Sequence, residues 1–246
     1  MIKNILKGLK AYSGAFALLS KLKLWKYFAI PILISVVVAI LVISASYGLS
    51  DNLGRWISNI WVWDFGKSVF ESFSTLIGGL IILVIGLILF KHIIMALSAP
   101  FMSPVSEKIE QHLTGKKDIN KVKSSFQSQL WRGIKINARN LVMELLITVP
   151  LLLLKFIPVV NIVSTVLLFM VQAYYAGFGN MDYTLERHLS YRNSIRFVKQ
   201  KRGLAIGNGI GFLLLLLIPV VGVVLVLPLS VTAASIQTVK AIEAGE

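Results

Sequence analysis

Long uncharged stretches alternate along the chain with short basic ones. Residues 27–49 form 23 consecutive positions without a charge, and a helix needs about 20 apolar residues to cross a hydrocarbon core roughly 30 Å thick. The pattern predicts a first transmembrane helix there. A second, over residues 72–102, returns across the membrane and extends past Lys91 and His92, with His92 interpreted as an interfacial residue.

The first 26 residues predict an amphipathic helix at the membrane surface. Its apolar side chains fall near one helical face and lysines flank them, as in a helix that lies in the interface. No short apolar region with a cleavage site follows, so we expect no removable signal peptide. The apolar face consists of Ile2, Ile5, Leu6, Leu9 and Phe16.

Residues 103–140 predict two amphipathic helices on the cytoplasmic surface. Ser103 and Pro104 have the pattern of an N-cap followed by proline at the first helical position. A second helix carries Arg132 and Arg139 away from its apolar face. That face consists of Ile119, Val122, Phe126, Leu130 and Ile134.

Two later apolar blocks are too short for a straight crossing. Residues 145–154 are uncharged before Lys155, and residues 204–218 are uncharged before Pro219, with Pro228 as a further predicted break. At about 1.5 Å per residue neither run reaches across the core. We therefore predict an all-α membrane protein with two transmembrane helices and two re-entrant hairpins. The hairpins cover residues 141–181 and 204–236, and the basic cytoplasmic segment 182–203 joins them.

Both blocks contain the tetrapeptide Ile-Pro-Val-Val, at residues 157–160 and 218–221. Paired proline-interrupted segments point to binding sites in transporters. A helix that begins inside the membrane presents free backbone N–H groups and its positive dipole end to an anion. Asn161 and Gly222 follow the prolines, and the sequence predicts them as anion-binding positions. The alternative, which the sequence leaves open, is that the prolines only turn the tips of packed hairpins.

Isolated charges and glycines within these blocks are further candidates. Glu144 is the carboxylate inside an apolar block, which predicts a paired or pathway residue. Lys155 is either a snorkelling residue or a pathway charge, and the sequence leaves both open. Gly203, Gly207 and Gly211 recur every four residues and predict a smooth face for helix packing.

Composition and charge support the membrane interpretation. Of 246 residues 56% are hydrophobic, and the formal charge of +14 lies between apolar blocks, so anionic lipid rather than nucleic acid is the expected partner. Lys and Arg number six before residue 27, two in 50–71, nine in 91–140 and six in 182–203. The positive-inside rule then places both termini in the cytoplasm and the chain in the plasma membrane.

Recognisable catalytic motifs are absent from the sequence. There is no cysteine, and no HExxH, GxSxG, phosphate-binding loop or paired-carboxylate pattern. We expect neither an enzyme nor a protein with a metal or another cofactor.

Two stretches resemble the CysZ family, also called the etoposide-induced membrane-protein family. Residues 99–110, APFMSPVSEKIE, are similar to the segment after that family's second span. The resemblance covers roughly residues 20–240, and it is most specific in the last sixty residues, where the family's features follow in order. They are Asp182-Tyr183, Glu186-Arg187, the basic run 197–204, the glycines to Gly211, Ile218-Pro219 and Pro228.

The resemblance implies two long transmembrane helices, two hemi-penetrating hairpins and, in bacterial members, sulfate uptake for cysteine synthesis. Bacterial sulfate permeases carry Pro-Gly-Leu-Arg before the first span, where this chain has residues 22–25, LKLW. The motif's glycine and arginine are missing. Lys23, Trp25 and Lys26 are the candidate substrate-binding residues at this position, although lysine does not reproduce the planar fork of arginine.

Two functions follow. The first is inward passage of sulfate or another small anion, and the second is a membrane scaffold that shapes bilayers or holds partners through basic amphipathic helices. We expect a homo-oligomer, because broken backbone would otherwise face lipid. The candidate ion-pathway residues are Glu107, Lys108, Glu110, Arg132, Arg139, Glu144 and Lys155.

Overall fold

The computed structural model describes residues 1–58, 67–116, 125–154, 158–218 and 221–245. Within these ranges all regular structure is helical. The helices are α1 Ile2–Lys10, α2 Tyr12–Lys21, α3 Ala29–Ser58, α4 Lys67–Thr114, α5 Phe126–Leu153, α6 Pro158–Leu185, α7 Tyr191–Gln200, α8 Arg202–Leu216 and α9 Val221–Glu243, with a 3₁₀ turn, Trp25–Phe28, before α3.

Four helical stretches of the described chain are long and apolar enough to cross a membrane. They are Trp25–Leu49, Ile85–Thr114, Val160–Leu185 and Val224–Glu243. The predicted class, an all-helical membrane protein, is confirmed. Because α6 and α9 reach the length of a span, the count of two spans and the re-entrant hairpins stay predictions.

Apolar side chains cover the outside of the bundle. On α3, Leu33 and Leu41 are each 62% exposed, and on α5 Phe126 is 58% exposed. Such surfaces suit a lipid environment, because hydrocarbon cannot form hydrogen bonds with polar side chains on the outside of a bundle. Of the predicted apolar face, Phe126 is exposed and Leu130 and Ile134 are half-buried, whereas polar side chains of α5 farther along the helix are buried.

Prolines interrupt fewer helices than predicted. Pro100 and Pro104 lie inside α4, and Pro228 lies inside α9. The predicted helix start at Ser103 and the predicted break at Pro228 are therefore wrong. A proline removes one backbone hydrogen bond, but in a packed membrane bundle neighbouring helices and polar side chains compensate for it.

Each proline-containing block forms a helical hairpin. The helices α5 and α6 pack together, as do α8 and α9, and the Ile-Pro-Val-Val repeats fall at the two connections. One helix, α5, runs through the predicted boundary between residues 140 and 141, and the Ser125 hydroxyl caps its start. The boundary between the cytoplasmic segment and the hairpin stays a prediction. The part of this segment predicted around Ile119 lies outside the described residues.

The short helix α8 is buried between α1 and α6, and small residues allow both contacts. A Cβ at Gly207 would lie 3.0 Å from the Cα of Gly8 on α1, and one at Gly209 would meet the backbone of Ala173 on α6. The other predicted packing glycines also face the N-terminal segment: Gly203 lies against Asn4 and Gly211 against the ring of Tyr12.

Candidate functional site

Polar side chains line the buried face of α5. Asn137, Asn140, Glu144 and Thr148 are at most 4% exposed, and their spacing of three and four residues places them on one side of a helix. We call these four residues the polar seam. It is the inverse of a soluble amphipathic helix, whose polar side faces outward.

Glu144 lies at the centre of a buried cluster of three ionisable groups, which we call the inner triad. The Lys91 ammonium contacts one carboxylate oxygen at 2.6 Å, and Nε2 of His92 contacts the other at 3.0 Å. The three side chains are 1%, 3% and 0% exposed for Lys91, His92 and Glu144. The interpretation of His92 as interfacial is wrong, because its side chain is buried inside the protein. The Glu144 carboxylate on α5 compensates for the loss of contact with water.

Several polar atoms beside the inner triad have no hydrogen-bond partner among the described residues. They are Nδ1 of His92, Oδ1 of Asn137, Nδ2 of Asn140 and Oγ1 of Thr148. A buried polar atom without a partner costs about 1–3 kcal/mol, and proteins normally satisfy such atoms with ordered water. The seam therefore offers hydrogen-bonding capacity to water or to a polar solute.

A cavity of about 250 Å³ reaches the inner triad from the side of α8. Lys91 and Gln172 provide its polar lining, and Leu216 and Leu217 border it at the tip of the α8–α9 hairpin. Its other lining residues are Leu87, Ile88, Phe169 and Leu213. At roughly 30 Å³ per water molecule, it has room for several waters or a small anion.

A second charged cluster joins the C-terminal part of α4 to the end of α6. Arg187 donates to Glu110 at 2.9 and 3.3 Å, to the Ser106 hydroxyl at 2.8 Å, and to two backbone carbonyls, those of Ser103 and Tyr183. His188 contacts the remaining oxygen of Glu110 at 2.7 Å. Because five hydrogen bonds satisfy the Arg187 guanidinium, this cluster is closed to further partners.

Arg132 extends this cluster onto α5. Its guanidinium binds both carboxylate oxygens of Asp182, at 2.9 and 3.0 Å, and also donates to the Leu189 carbonyl and the Ser194 hydroxyl. Burial lowers the pKa of Arg132, but the hydrogen bonds and charge of Asp182 outweigh it, so the pKa lies above its ordinary value. We call Glu110, Arg132, Asp182, Arg187 and His188 the basal network.

Glu186 borders the basal network without a full set of partners. It accepts a hydrogen bond from the Ser103 hydroxyl. Burial raises the pKa of its carboxyl to about 7, helped by the charge of Asp182 and opposed by the Ser103 hydrogen bond and two arginines. Its protonation state therefore changes near neutral pH.

Lys26, a predicted substrate-binding residue before α3, and Lys108, a predicted pathway residue, both contact the ring of Tyr27. The ammonium groups of Lys26 and Lys108 lie 5.5 and 5.4 Å from the ring centroid of Tyr27, within the range of cation–π attraction. Trp25 packs edge-on against Phe16, 5.4 Å between ring centroids. Lys23 is exposed and has a left-handed φ of 53°, and Glu107 accepts from Gln111.

The remaining predicted residues lie apart. Arg139 stacks over Phe178 and donates to Asn140, so it adjoins the polar seam. Asn161 is exposed in the first turn of α6, and Gly222 is buried against Leu215. No described contact joins Asn161 to Gly222, and Lys155 lies outside the described residues. Within the described residues, no three or more His, Asp and Glu side chains are placed so that they could hold a metal ion.

Sequence reasoning missed Lys91, Asn137, Asn140 and Thr148 as site residues. The last three recur with Glu144 at helical spacing, which was a usable signal. Lys91 had no local signal, since its partner lies 53 residues away along the chain.

The helices and the buried charges together define a multi-pass α-helical membrane protein. A family model described as Sulfate transporter CysZ/Etoposide-induced protein 2.4 matches residues 11–226. The chain belongs to this family, which is one of transporters and not of enzymes. The resemblance in its sequence motifs is thereby confirmed.

Proteins named sulfate transporter CysZ are similar to this chain. Those of Pseudomonas paraeruginosa and Pseudomonas aeruginosa are 30% identical over 169 residues, which is 68% of each chain. That of Vibrio parahaemolyticus is 28% identical over 216 residues, 85% of each chain.

Proposed function

We propose that this protein carries sulfate, or another small oxyanion, across the plasma membrane. Its relatives' names supply the substrate class. The observation that carries the proposal is the inner triad beside a cavity: a buried lysine, a carboxylate with two partners, and unsatisfied polar atoms. Ionisable groups inside a membrane bundle are costly and mark ion pathways.

We assign Lys91 as the cation that binds the transported anion. Glu144 also binds His92, so the carboxylate keeps a partner when Lys91 turns to an oxyanion in the cavity. The side-chain amide of Gln172, which also lines the cavity, can donate a further hydrogen bond. Such an exchange binds an anion firmly enough to enter and loosely enough to leave.

The lysines around Tyr27 form the cytoplasmic end of the proposed route. Lys91 and Lys108 are 17 residues apart on α4, about 25 Å at 1.5 Å per residue. Lys23, Lys26 and Lys108 would bind the anion there, and Glu107 adjoins them. In this proposal Glu110, Arg132 and Arg139 hold the walls of the route.

Two further parts of the proposal concern topology and assembly. The hairpins α5–α6 and α8–α9 enter and leave on the cytoplasmic side, with both termini there, and copies of the chain assemble so that the connections avoid lipid. The 15 residues of α8 support this, since about 22 Å is less than a hydrocarbon core. Crosslinking in membranes tests the assembly.

Cysteine labelling tests the topology, because the chain has no native cysteine. Leu154 and Leu217 are exposed beside the two connections, and Tyr47 is exposed near the end of the apolar stretch Trp25–Leu49. With an impermeant thiol reagent outside intact cells, Tyr47→Cys should react. Leu154→Cys and Leu217→Cys should stay protected. Strong labelling of both from outside would establish full crossings.

Flux into proteoliposomes tests transport. Labelled sulfate should accumulate faster in vesicles that hold the protein than in empty ones, and unlabelled sulfate should compete. If sulfate, sulfite and other small oxyanions all fail to enter, the transport proposal is wrong. Deformation of the vesicles without flux would favour the membrane scaffold.

A further inference from the structure

A basic pocket of about 350 Å³ lies where α1, α8 and α9 meet, away from the inner triad. Three lysines from three segments line it: Lys7 on α1, Lys201 before α8 and Lys240 on α9. The rest of its described lining is uncharged and consists of Asn4, Leu204, Gln237, Ala241 and Ala244. We call it the lysine pocket.

The three lysines differ from the other clustered cations of this protein. Lys91, Arg132 and Arg187 each contact a carboxylate, whereas none of the pocket lysines forms an ion pair within the described chain. Like charges that converge without a counterion repel one another. The pocket therefore favours an anion that several ammonium groups can contact together.

The frame of the pocket is held in place. The side-chain amide of Gln237 donates to the Lys7 carbonyl at 3.0 Å, which fastens α9 to α1. Gly8, next to Lys7, contacts the backbone of α8 at Gly207. Lys7 and Lys240 therefore lie on packed helices, and Lys201 lies in the turn directly before α8. This limits the ordering needed on binding.

Apolar residues of α1 set the depth of the pocket. Ile2 is 75% and Leu6 51% exposed, on the same helix as Asn4 and Lys7. A helix with exposed apolar residues beside lysines lies at the level of lipid headgroups. We propose that the lysine pocket binds the phosphate group of an anionic phospholipid. This inference does not depend on transport.

Binding to the purified full-length protein in neutral detergent tests the inference. The ligands are short-chain phosphatidylglycerol, short-chain phosphatidylcholine and inorganic phosphate. A triple variant, Lys7→Gln with Lys201→Gln and Lys240→Gln, removes the pocket charges. The matched control, Lys3→Gln with Lys10→Gln and Lys21→Gln, removes the same charge from exposed positions nearby.

Phosphatidylglycerol should bind the wild type and phosphatidylcholine should not. The pocket variant should bind roughly 100-fold more weakly, about fivefold per lysine, and the control less than about threefold more weakly. Lys240→Gln alone should show the fivefold loss if the triple variant folds poorly. Sulfate flux through the pocket variant in neutral-lipid vesicles should equal that of the wild type.

Two results would overturn the assignment. Equal losses in the pocket variant and the control would mean that net charge attracts the lipid without a site. Inorganic phosphate that binds as tightly as phosphatidylglycerol would mean a soluble phosphate ligand in place of a lipid.

Discussion

The inner triad and the basal network both bury a cation against a glutamate, but they differ in how fully that cation is satisfied. Arg187 in the basal network makes five hydrogen bonds. Lys91 in the inner triad has Glu144 at 2.6 Å and only a long contact, 3.4 Å, to a backbone carbonyl. A saturated cation holds helices together, whereas an unsaturated one beside a cavity can accept a ligand.

Because of this difference, one buried ion pair is expected to stabilise the fold and the other to take part in transport. Taking one partner from a buried ion pair leaves an uncompensated charge, so both clusters affect folding. Each carboxylate keeps a histidine when its cation is removed, His92 for Glu144 and His188 for Glu110. Removing Arg187, however, breaks five hydrogen bonds, whereas removing Lys91 breaks one short and one long hydrogen bond. We therefore expect substitutions in the basal network to act on stability first, and substitutions in the inner triad to act on flux first.

The largest expected effect is on stability, from Arg187→Met. The change leaves Glu110 buried with only His188 beside it, and we expect a loss of about 3–5 kcal/mol in the free energy of unfolding. Thermal unfolding in detergent measures it. Adding Glu110→Gln should recover much of the loss, and Arg196→Met, at an exposed position, should change stability by less than about 0.5 kcal/mol. A loss below about 1 kcal/mol would remove the structural role.

Lys91→Met should lower sulfate flux at least about tenfold per folded molecule, since the cavity loses its cation. Its effect on stability should be smaller than that of Arg187→Met, because Lys91 makes one short and one long hydrogen bond and Arg187 makes five. Lys135→Met, at an exposed position of α5, is the matched control for flux. Normal flux in a folded Lys91→Met protein would exclude the inner triad from the route.

Glu186→Gln tests the pH dependence of stability that arises from the carboxyl group beside the basal network. The folded-state pKa of about 7 lies above the ordinary 4.5, so the protonated carboxyl contributes stability fully below pH 4.5 and loses it as pH rises through 7. The glutamine variant should therefore gain on the wild type from pH 5 to pH 8. The shift sets a limit of about 3 kcal/mol, and partial exposure reduces the expectation to about 1 kcal/mol. Unfolding measured at both pH values decides it.

Lys23→Gly, outside both clusters, should have the smallest effect. A left-handed φ of 53° costs a residue with a Cβ roughly 1 kcal/mol, and glycine removes this strain at some entropic cost. We expect a gain of about 0.5 kcal/mol, and no gain from Lys23→Ala, since alanine keeps the Cβ. If Lys23 also binds the anion, both variants should lower flux to the same extent.

Local signals predicted only part of the fold. The prolines of the two repeats coincide with helix boundaries, since α6 begins at Pro158 and Pro219 falls in the sequence between α8 and α9. Pro100, Pro104 and Pro228 carry the same local signal, yet helices continue through them since packed neighbours compensate for one lost hydrogen bond. Proline in this sequence therefore does not by itself mark a helix boundary.

The site was predictable where one residue was unusual by itself. Glu144 stands out as a carboxylate within an apolar run, and the sequence predicted a paired or pathway residue. Its partners did not stand out, because Lys91 and His92 follow an apolar helix as interfacial residues often do. Pairing between α4 and α5 depends on the fold, which a single sequence does not show.

The contact between Gly8 and Gly207 also limits the order of folding. Roughly 200 residues of synthesis separate the two glycines, and at about 5–20 residues per second the ribosome needs about 10–40 s to make them. During that time α1 has no α8 to pack against. Its exposed Ile2 and Leu6 can lie in the membrane surface during this time. The amphipathic helix α1 therefore has a stable location before the last hairpin is synthesised.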